Sequence, residues 1–302
     1  MSLPDSVAVQ VAGQTLTLSN LGKVLYPETG FTKAEVLSYY QQVAPVLLPH
    51  IADRPLTLKR YPDGVDGQAF FAKHAPAHRP SWVRTERIVS TSSRARGETV
   101  DYLVVDDLPT LIWVANLAGL ELHAPMWRIG GSAVPEGPER EPDTLVFDLD
   151  PGQPASIVEC CQVALALRPM LEADGLVPLA KTSGGKGMQL YARLDGMTAG
   201  QASGLAHDYA NRMTAASPDL VTARMTKSLR PGKVFIDWSQ NNGKKTTVAP
   251  YSLRARSMPT VSTPLTWDEV ARCKTVAELT FTADDLPARI AEYGDLFAPL
   301  LT

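Results

Sequence analysis

The chain has 302 residues, 44% of them hydrophobic and 20% charged, with a formal net charge of −3. This composition supplies a buried core and excludes disorder as the default state, and the length is long for one domain without clearly making two. Met1 to Val11 carries no basic start followed by an apolar run, and no apolar stretch reaches the roughly 20 residues of a membrane span, so a soluble, cytoplasmic protein with no membrane partner is expected.

In chain order, Val7–Val11 and Thr15–Leu18 alternate apolar and polar around Ala12-Gly13-Gln14 and read as a hairpin. Thr32-Lys33-Ala34-Glu35 is a capping box, followed by Val36, Leu37, Tyr40, Val43 and Leu47 at helical spacing. Strands are predicted at Leu56–Arg60 and Thr99–Val105, and a mostly apolar helix at Leu108–Leu120. Between them stands Phe70-Phe71. In a strand one ring would face the core and the other outward, where it could stack on a base, unless both pack inside. Gly130 to Asp143 holds four acids, three prolines and three glycines, and reads as a surface loop and possible module boundary.

Further strands are predicted at Leu145–Asp150, Val177–Thr182, Met188–Arg193 and Val234–Trp238. Four more capping boxes, Ser156-x-x-Glu159, Thr198-x-x-Gln201, Thr266-x-x-Glu269 and Thr282-x-x-Asp285, each predict a helix start. Cys160 and Cys161 are neighbours and no C-x-x-C spacing exists, so they read as small apolar helix residues, not as a zinc or disulfide framework. Strands and helices are intermixed, which leaves α/β or α+β, and the irregular proline-rich connections argue against a regular doubly wound sheet.

The chemistry concentrates in four places. Asp148 and Asp150 end an apolar run just before Pro151-Gly152, and period-two geometry sends both carboxylates from one strand face. Two such charges about 5 Å apart repel by roughly 3 kcal/mol at an effective dielectric of about 20, a cost that a divalent magnesium or manganese ion removes. A lone D-x-D is more often a pair of strand-end aspartates capping the next helix. Asp237, the single carboxylate in the apolar strand Val234–Trp238, changes that balance, because three strand-borne carboxylates suit two-metal nucleotidyl transfer.

Thr182-Ser183-Gly184-Gly185-Lys186-Gly187 joins two strands and can offer backbone N–H groups, Ser183 and Lys186 to an anion, although P-loop spacing is absent and a plain glycine hairpin is the simpler reading. His123, in Glu121–Trp127, reads equally as a structural or a catalytic residue. Between Arg224 and Arg256 eight basic residues accompany one acid, Asp237. That local charge of +7 points to a polyphosphate or nucleic-acid backbone, where a scattered run would be only a solvated face.

Taken together these blocks resemble the polymerase domain of bacterial ligase D and its stand-alone primase-polymerase relatives, in the archaeo-eukaryotic primase superfamily. The resemblance runs from about Leu16 to Phe297. It includes L-S-N-L-G-K-V-L-Y-P at Leu18–Pro27, K-R-Y-P-D-G at Lys59–Gly64, A-F-F-A-K at Ala69–Lys73 and E-L-H-A-P-M-W at Glu121–Trp127. It continues through F-D-L-D-P-G at Phe147–Gly152, T-S-G-G-K-G at Thr182–Gly187, M-T-K-S-L-R-P-G-K-V-F-I-D-W-S-Q at Met225–Gln240 and A-P-Y-S-L-R at Ala249–Arg254.

The resemblance implies an α+β primase-polymerase fold: an RRM-like catalytic antiparallel sheet plus an N-terminal α/β module, the two packed intimately as one domain over residues 1–302. It implies Asp148, Asp150 and Asp237 as catalytic ligands of two manganese or magnesium ions. It implies Lys59, His123, Ser183, Lys186, Gln240 and Arg254 as contacts to a nucleoside triphosphate (NTP or dNTP). Phe70 and Phe71 match aromatics that stack near template and primer, and Asn20, Lys23 and Lys33 match a pocket for the 5′-phosphate beyond a gap.

The implied partners are DNA with gaps, breaks or 5′-phosphorylated ends, and end-joining or repair proteins, at a bacterial, nucleoid-associated location. One departure stands out. The family usually has histidine where Gln189 stands, and glutamine keeps hydrogen-bonding capacity but carries no proton charge. The chain is expected to be a stand-alone protein or an excised domain. A D-x-D sugar transferase and a DNA-end-binding module with weakened catalysis remain as alternatives at this level.

Overall fold

The computed structural model describes residues 6–89, 97, 99–131 and 140–302. Much of the acidic Gly130–Asp143 loop, residues 132–139, lies outside the described residues.

The chain opens with the expected hairpin, β1 (Ser6–Val11) and β2 (Gln14–Ser19). Ala12 and Gly13 both take positive φ, as a tight two-residue hairpin turn requires. Two short paired strands, β3 (Val24–Tyr26) and β4 (Phe31–Thr32), lead into α1 (Lys33–Ile51). The capping box at its start is formed in full: the Thr32 hydroxyl accepts from the Glu35 backbone N–H, and the Thr32 N–H donates to the Glu35 carboxylate. Next come β5 (Thr57–Arg60), β6 (Phe70–Ala72), the antiparallel pair β7 (Thr85–Val89) and β8 (Thr99–Leu103), α2 (Leu108–Asn116) and β9 (Gly119–Ala124).

The apolar run Leu108–Leu120 is therefore not one helix. α2 stops at Asn116, Ala118 turns to a φ of 56°, and Leu120 belongs to β9. Helix and strand are both buried here, so hydrophobicity alone hides the boundary between them.

The second half contains β10 (Thr144–Pro151), α3 (Ile157–Ala173), β11 (Leu179–Thr182), β12 (Met188–Arg193), α4 (Ala199–Ala216), β13 (Val221–Thr222) and β14 (Val234–Asp237). The chain then returns through β15 (Thr247–Val248), β16 (Pro264–Leu265), α5 (Trp267–Arg272) and α6 (Leu286–Tyr293). Ser156, Thr198 and Thr266 open α3, α4 and α5 with complete capping boxes. Thr282 behaves differently. Its N–H and hydroxyl both donate to Asp285, yet α6 begins only at Leu286, so this box closes a turn ahead of the helix. Val177 is exposed and precedes β11, and Trp238 leaves β14 to start a 3-10 turn, Trp238–Asn241.

Two main sheets result. One has the order β13-β14-β10-β12-β11-β16 and is antiparallel except for the parallel β13–β14 edge; the other has the order β15-β9-β5-β6. This is the mixed, α+β architecture expected. Each sheet has its own apolar core. Leu145, Phe147 and Leu149 of β10 pack with Cys160, Cys161 and Leu167 of α3 and with Tyr209 of α4. Leu58, Leu120 and Leu122 pack with Tyr40, Val43 and Leu47 of α1 and with Leu111 of α2. The period of two along β10 then fixes the rest: with its odd-numbered apolar residues committed to the helices, Asp148 and Asp150 must emerge on the opposite face.

The halves are tied by charge as well as by packing. Arg54, buried after α1, donates to both oxygens of Asp143 at 2.8 and 2.6 Å, and Arg128 Nε donates to the same carboxylate at 3.0 Å. Asp143 directly precedes β10, so this pair of arginines anchors the strand that carries the aspartates.

Candidate active site

The three aspartates lie on one face of one strand pair. In the β10–β14 register Asp148 is opposite Asp237, and Asp150, two residues on, is opposite Phe235. Burial, then Asp150 and Asp237, push the Asp148 carboxyl well above the usual carboxylate range, and Asp150 is raised by burial and by Asp237. Arg230 opposes the shift at Asp150 while its guanidinium rests 3.7 Å from the centre of the Phe235 ring.

Such a face lacks positive charge, and its hard oxygen donors suit a magnesium- or manganese-type ion. Among the described residues, no three His, Cys, Asp or Glu side chains already converge on one point. The hydrogen bonds account for the spread. Asp237 Oδ1 accepts from the Ser239 N–H at 3.1 Å and its hydroxyl at 2.5 Å, Asp237 Oδ2 accepts from Gln240 at 3.1 Å, and Asp148 Oδ1 accepts from Gln189 at 2.9 Å. The backbone register already faces the carboxylates together, so convergence needs only side-chain rotation. The donor set fits a divalent cation.

The glycine-rich segment forms the β11–β12 turn. Gly184 has a φ of +64°, and a Cβ on Gly187 would stand 2.1 Å from the Leu149 carbonyl oxygen, so the turn is seated directly on the aspartate strand. Ser183 Oγ accepts from the Gly185 and Gly187 N–H groups, and Lys186 is exposed at the tip. Ser183 is thus engaged in shaping the turn.

Arg254 joins the two sheets. Its Nη1 donates to the Ser183 carbonyl at 2.6 Å, and its Nε lies 3.3 Å from Glu121 Oε1 on β9. Glu121 is buried, and its other oxygen pairs with His123 Nε2 at 2.9 Å. Burial would raise this carboxyl, but His123, Arg254 and the Ala255 N–H outweigh that and hold it down to about 2. One carboxylate therefore orients both the histidine and the arginine that the sequence singled out. Glu121 was missed in the sequence because its segment follows an apolar run taken as helix; read as strand, Glu121 and His123 alternate onto one face.

Lys59 and Phe71 share that face, since Lys59 pairs with Glu121 on one side and with Phe71 on the other. Lys59 Nζ lies 5.6 Å from the Phe71 ring centre, and the Phe71 and His123 ring centres are 6.0 Å apart. Neither phenylalanine packs in the core. Phe70 is 43% and Phe71 61% exposed, because β6 is an edge strand with nothing beyond it. Arg60 covers the Phe70 ring at 5.2 Å.

Asn20, Lys23 and Lys33 are brought together by the loop between β2 and α1. Lys23 N donates to the Asn20 carbonyl, and Lys33 N to the Lys23 carbonyl. Asn20 takes a φ of 53°. Lys33 is buried and its Nζ donates to the Ser19 carbonyl at 2.6 Å, while Lys23 is exposed and paired with Asp63 at 2.9 Å.

Of the basic stretch, Arg254, Lys245 and Arg230 turn to the aspartates and the glycine turn, with Lys245 Nζ 3.8 Å from Asp237 Oδ2. Lys233 instead donates to the Pro218 carbonyl and braces the β13–β14 edge. Lys181, unmarked in the sequence, is fully buried beside the site; burial and Arg254 pull its ammonium well below the usual lysine range, and Asp148 acts in the other direction.

An acidic strand face set against a glycine-rich anion turn defines the class as a metal-dependent nucleotidyltransferase that uses nucleoside triphosphates. Residues 32–297 match the LigD primase-polymerase domain family. The chain is 45% identical over 288 residues to the multifunctional non-homologous end joining protein LigD of Mycolicibacterium smegmatis, covering 95% of this chain and 36% of that protein. It is 31% identical over 281 residues to the bifunctional LigD of Bacillus subtilis, covering 92% of this chain and 43% of that protein. The polymerase domain of Mycobacterium tuberculosis ligase D, solved in complex with DNA, superposes with a TM-score of 0.86 at 43% identity, over 95% of this chain and 98% of that one. The chain belongs to the LigD primase-polymerase domain family, and it spans little more than a third of the length of the mycobacterial relative. No described helix is long and apolar enough to cross a membrane.

Proposed function

We propose that this domain adds ribo- or deoxyribonucleotides to primer 3′ ends in gaps and at breaks during end joining of bacterial DNA. The observation that carries the reading is the β10–β14 register, which faces Asp148 to Asp237 with Asp150 on the same side. Two manganese or magnesium ions held by these residues would activate the primer hydroxyl and offset charge on the triphosphate. Lys186, at the exposed tip of the glycine turn, and Arg254, between the two sheets, take the phosphates. Ser183, Lys59, His123 and Gln240 complete the nucleotide contacts around them. Phe71 and Phe70 offer exposed rings to bases at the edge of the four-stranded sheet. Asn20, Lys23 and Lys33 take the downstream 5′-phosphate. The two packed cores act as a single domain. DNA with gaps or phosphorylated ends, and the end-joining proteins of the nucleoid, are the partners this reading implies.

The test is extension of a labelled primer across a short gap, with manganese and mixed nucleotides, by wild type and Asp148→Ala. Extension by wild type alone supports the reading. DNA binding without extension would favour an end-binding module, and turnover of nucleotide sugars without DNA would favour a sugar transferase.

A further inference from the structure

The site continues into the protein as one row of side chains. Across four neighbouring strands the register aligns Lys181 with Gln189, Gln189 with Asp148, and Asp148 with Asp237. Direct cross-strand neighbours lie on the same face, so all four side chains meet on one side of the sheet. Lys181 is 0% and Gln189 4% exposed, so the inner half of the row is closed to solvent.

Lys181 Nζ has three acceptors: Gln189 Oε1 at 2.6 Å, Ser262 Oγ at 2.6 Å and the Val248 carbonyl at 3.1 Å. The Ser262 hydroxyl is already donating to the Thr182 carbonyl at 2.9 Å, so it meets the lysine as an acceptor. An ammonium has three N–H donors and no lone pair, and all three are used. Its chemistry settles which end of the Gln189 amide faces it. Only the oxygen can, and the Tyr191 hydroxyl reaches the same oxygen at 3.3 Å. The amide nitrogen is thereby turned outward, where it donates to Asp148 Oδ1 at 2.9 Å. With Oδ1 engaged, Asp148 presents Oδ2 toward Asp237 and Gln240.

We propose that Lys181 is a positioning residue for nucleotidyl transfer: by fixing the orientation of the Gln189 amide it holds Asp148 in the rotamer that offers one oxygen to a divalent cation. The inference rests on the proposed metal role of Asp148. It also gives Gln189 a task that histidine would perform differently, since a neutral ring needs no buried cation to choose which atom donates. Burying a lysine without a carboxylate partner is costly, and a locked catalytic carboxylate is what the fold gains from it. Partners that orient a metal ligand from behind commonly change metal affinity by 10- to 100-fold when removed.

The experiment measures manganese binding directly, by titrating free Mn2+ through its electron paramagnetic resonance signal, without nucleotide or DNA. Thermal unfolding of each variant is followed alongside. Lys181→Met keeps the length of the side chain and removes its donors; it should remain folded and bind manganese about tenfold more weakly. Gln189→Met should weaken binding to a similar degree, and the double variant should be no worse than the weaker single one, because both changes break one chain of contacts.

A folded Lys181→Met protein with wild-type manganese affinity would overturn the proposal. So would full additivity in the double variant, which would place Lys181 outside the Gln189 route. Should Lys181→Met not fold, Gln189→Met alone decides, and unchanged manganese affinity in it sinks the idea. Asp148→Asn separates this outcome from failure of the metal assignment. If Asp148→Asn binds manganese as wild type does, the site reading itself is wrong; if it loses binding and Lys181→Met does not, only the positioning role is wrong.

Discussion

Asp148 and Asp237 stand directly opposite each other across the β10–β14 pair, and the Gln240 amide donates toward both carboxylates, at 3.5 and 3.1 Å. A neutral amide is a weak mediator between two acids whose neighbours already raise the Asp148 carboxyl. A divalent cation would do that work far better. Asp148→Ala and Asp150→Ala should therefore each abolish nucleotide addition. DNA binding should survive, because removing negative charge near a phosphate backbone cannot weaken attraction to it. Near wild-type extension by either variant at saturating manganese would show that these residues do not hold the metal.

Lys186 extends from the tip of a turn whose glycines are required by contact with the Leu149 carbonyl. A lysine–phosphate hydrogen bond is worth roughly 1.5–3 kcal/mol. Lys186→Ala should accordingly raise the apparent KM for nucleotide by about tenfold or more, with a smaller effect on DNA affinity. Steady-state extension over a range of nucleotide concentrations measures it. An unchanged KM would remove the turn from the nucleotide site.

Glu121 makes a prediction for both pH and catalysis. Its carboxyl is held at about 2 in the folded protein, below the ordinary value of 4.5, so the folded state favours the charged form. The stability this contributes is fully present above pH 4.5 and is lost as pH falls toward 2. Taken at face value the shift corresponds to about 3 kcal/mol. Glu121→Gln should therefore lower stability at pH 7 and flatten its fall between pH 4.5 and 2, as read by urea unfolding across that range. Because Glu121 orients His123 and Arg254, the variant should also raise the nucleotide KM. An acid-stability profile that parallels wild type would show that the carboxylate is not held by these partners.

The parts of this site written in local pattern were readable in the sequence, and the parts written in register were not. Asp148 and Asp150 follow an apolar strand two residues apart, so their shared face needs no tertiary knowledge. The box Thr32–Glu35 announces α1 by hydrogen bonds that span three residues. Lys181 gave no such signal. Its meaning arises from pairing with Gln189 and from Ser262, 81 residues away, and nothing in a strand that reads Leu-Ala-Lys-Thr marks the lysine as buried. The exposure of both Phe70 and Phe71 was likewise hidden, because alternation assumes that one face of a strand is covered, and β6 lies at an edge. Departures of this kind from local rules gather where the two sheets meet, which is also where the chemistry is.

The last prediction concerns the DNA that the domain prefers. It should bind a short gap bearing a downstream 5′-phosphate better than the same gap ending in a 5′-hydroxyl. Lys33 is the first residue of α1, where backbone N–H groups and the positive end of the helix favour an anion. Lys23 is close enough to add to the effect: burial first, and Lys23 second, lower the Lys33 ammonium to about 8. Two cations that disfavour each other gain from a shared anion, and a terminal phosphate carries more charge than an internal one. Asp63 now occupies Lys23, and the Ser19 carbonyl occupies Lys33, so both contacts must yield or be shared when the phosphate arrives. The preference should also weaken as pH rises past 8, where free Lys33 loses its proton. Both DNAs would be titrated at fixed salt against wild type and the Lys23→Ala/Lys33→Ala variant. Binding of the hydroxyl-ended gap by that variant controls for loss of structure. If wild type shows no phosphate preference, or the double variant keeps it in full, Asn20, Lys23 and Lys33 do not form the pocket.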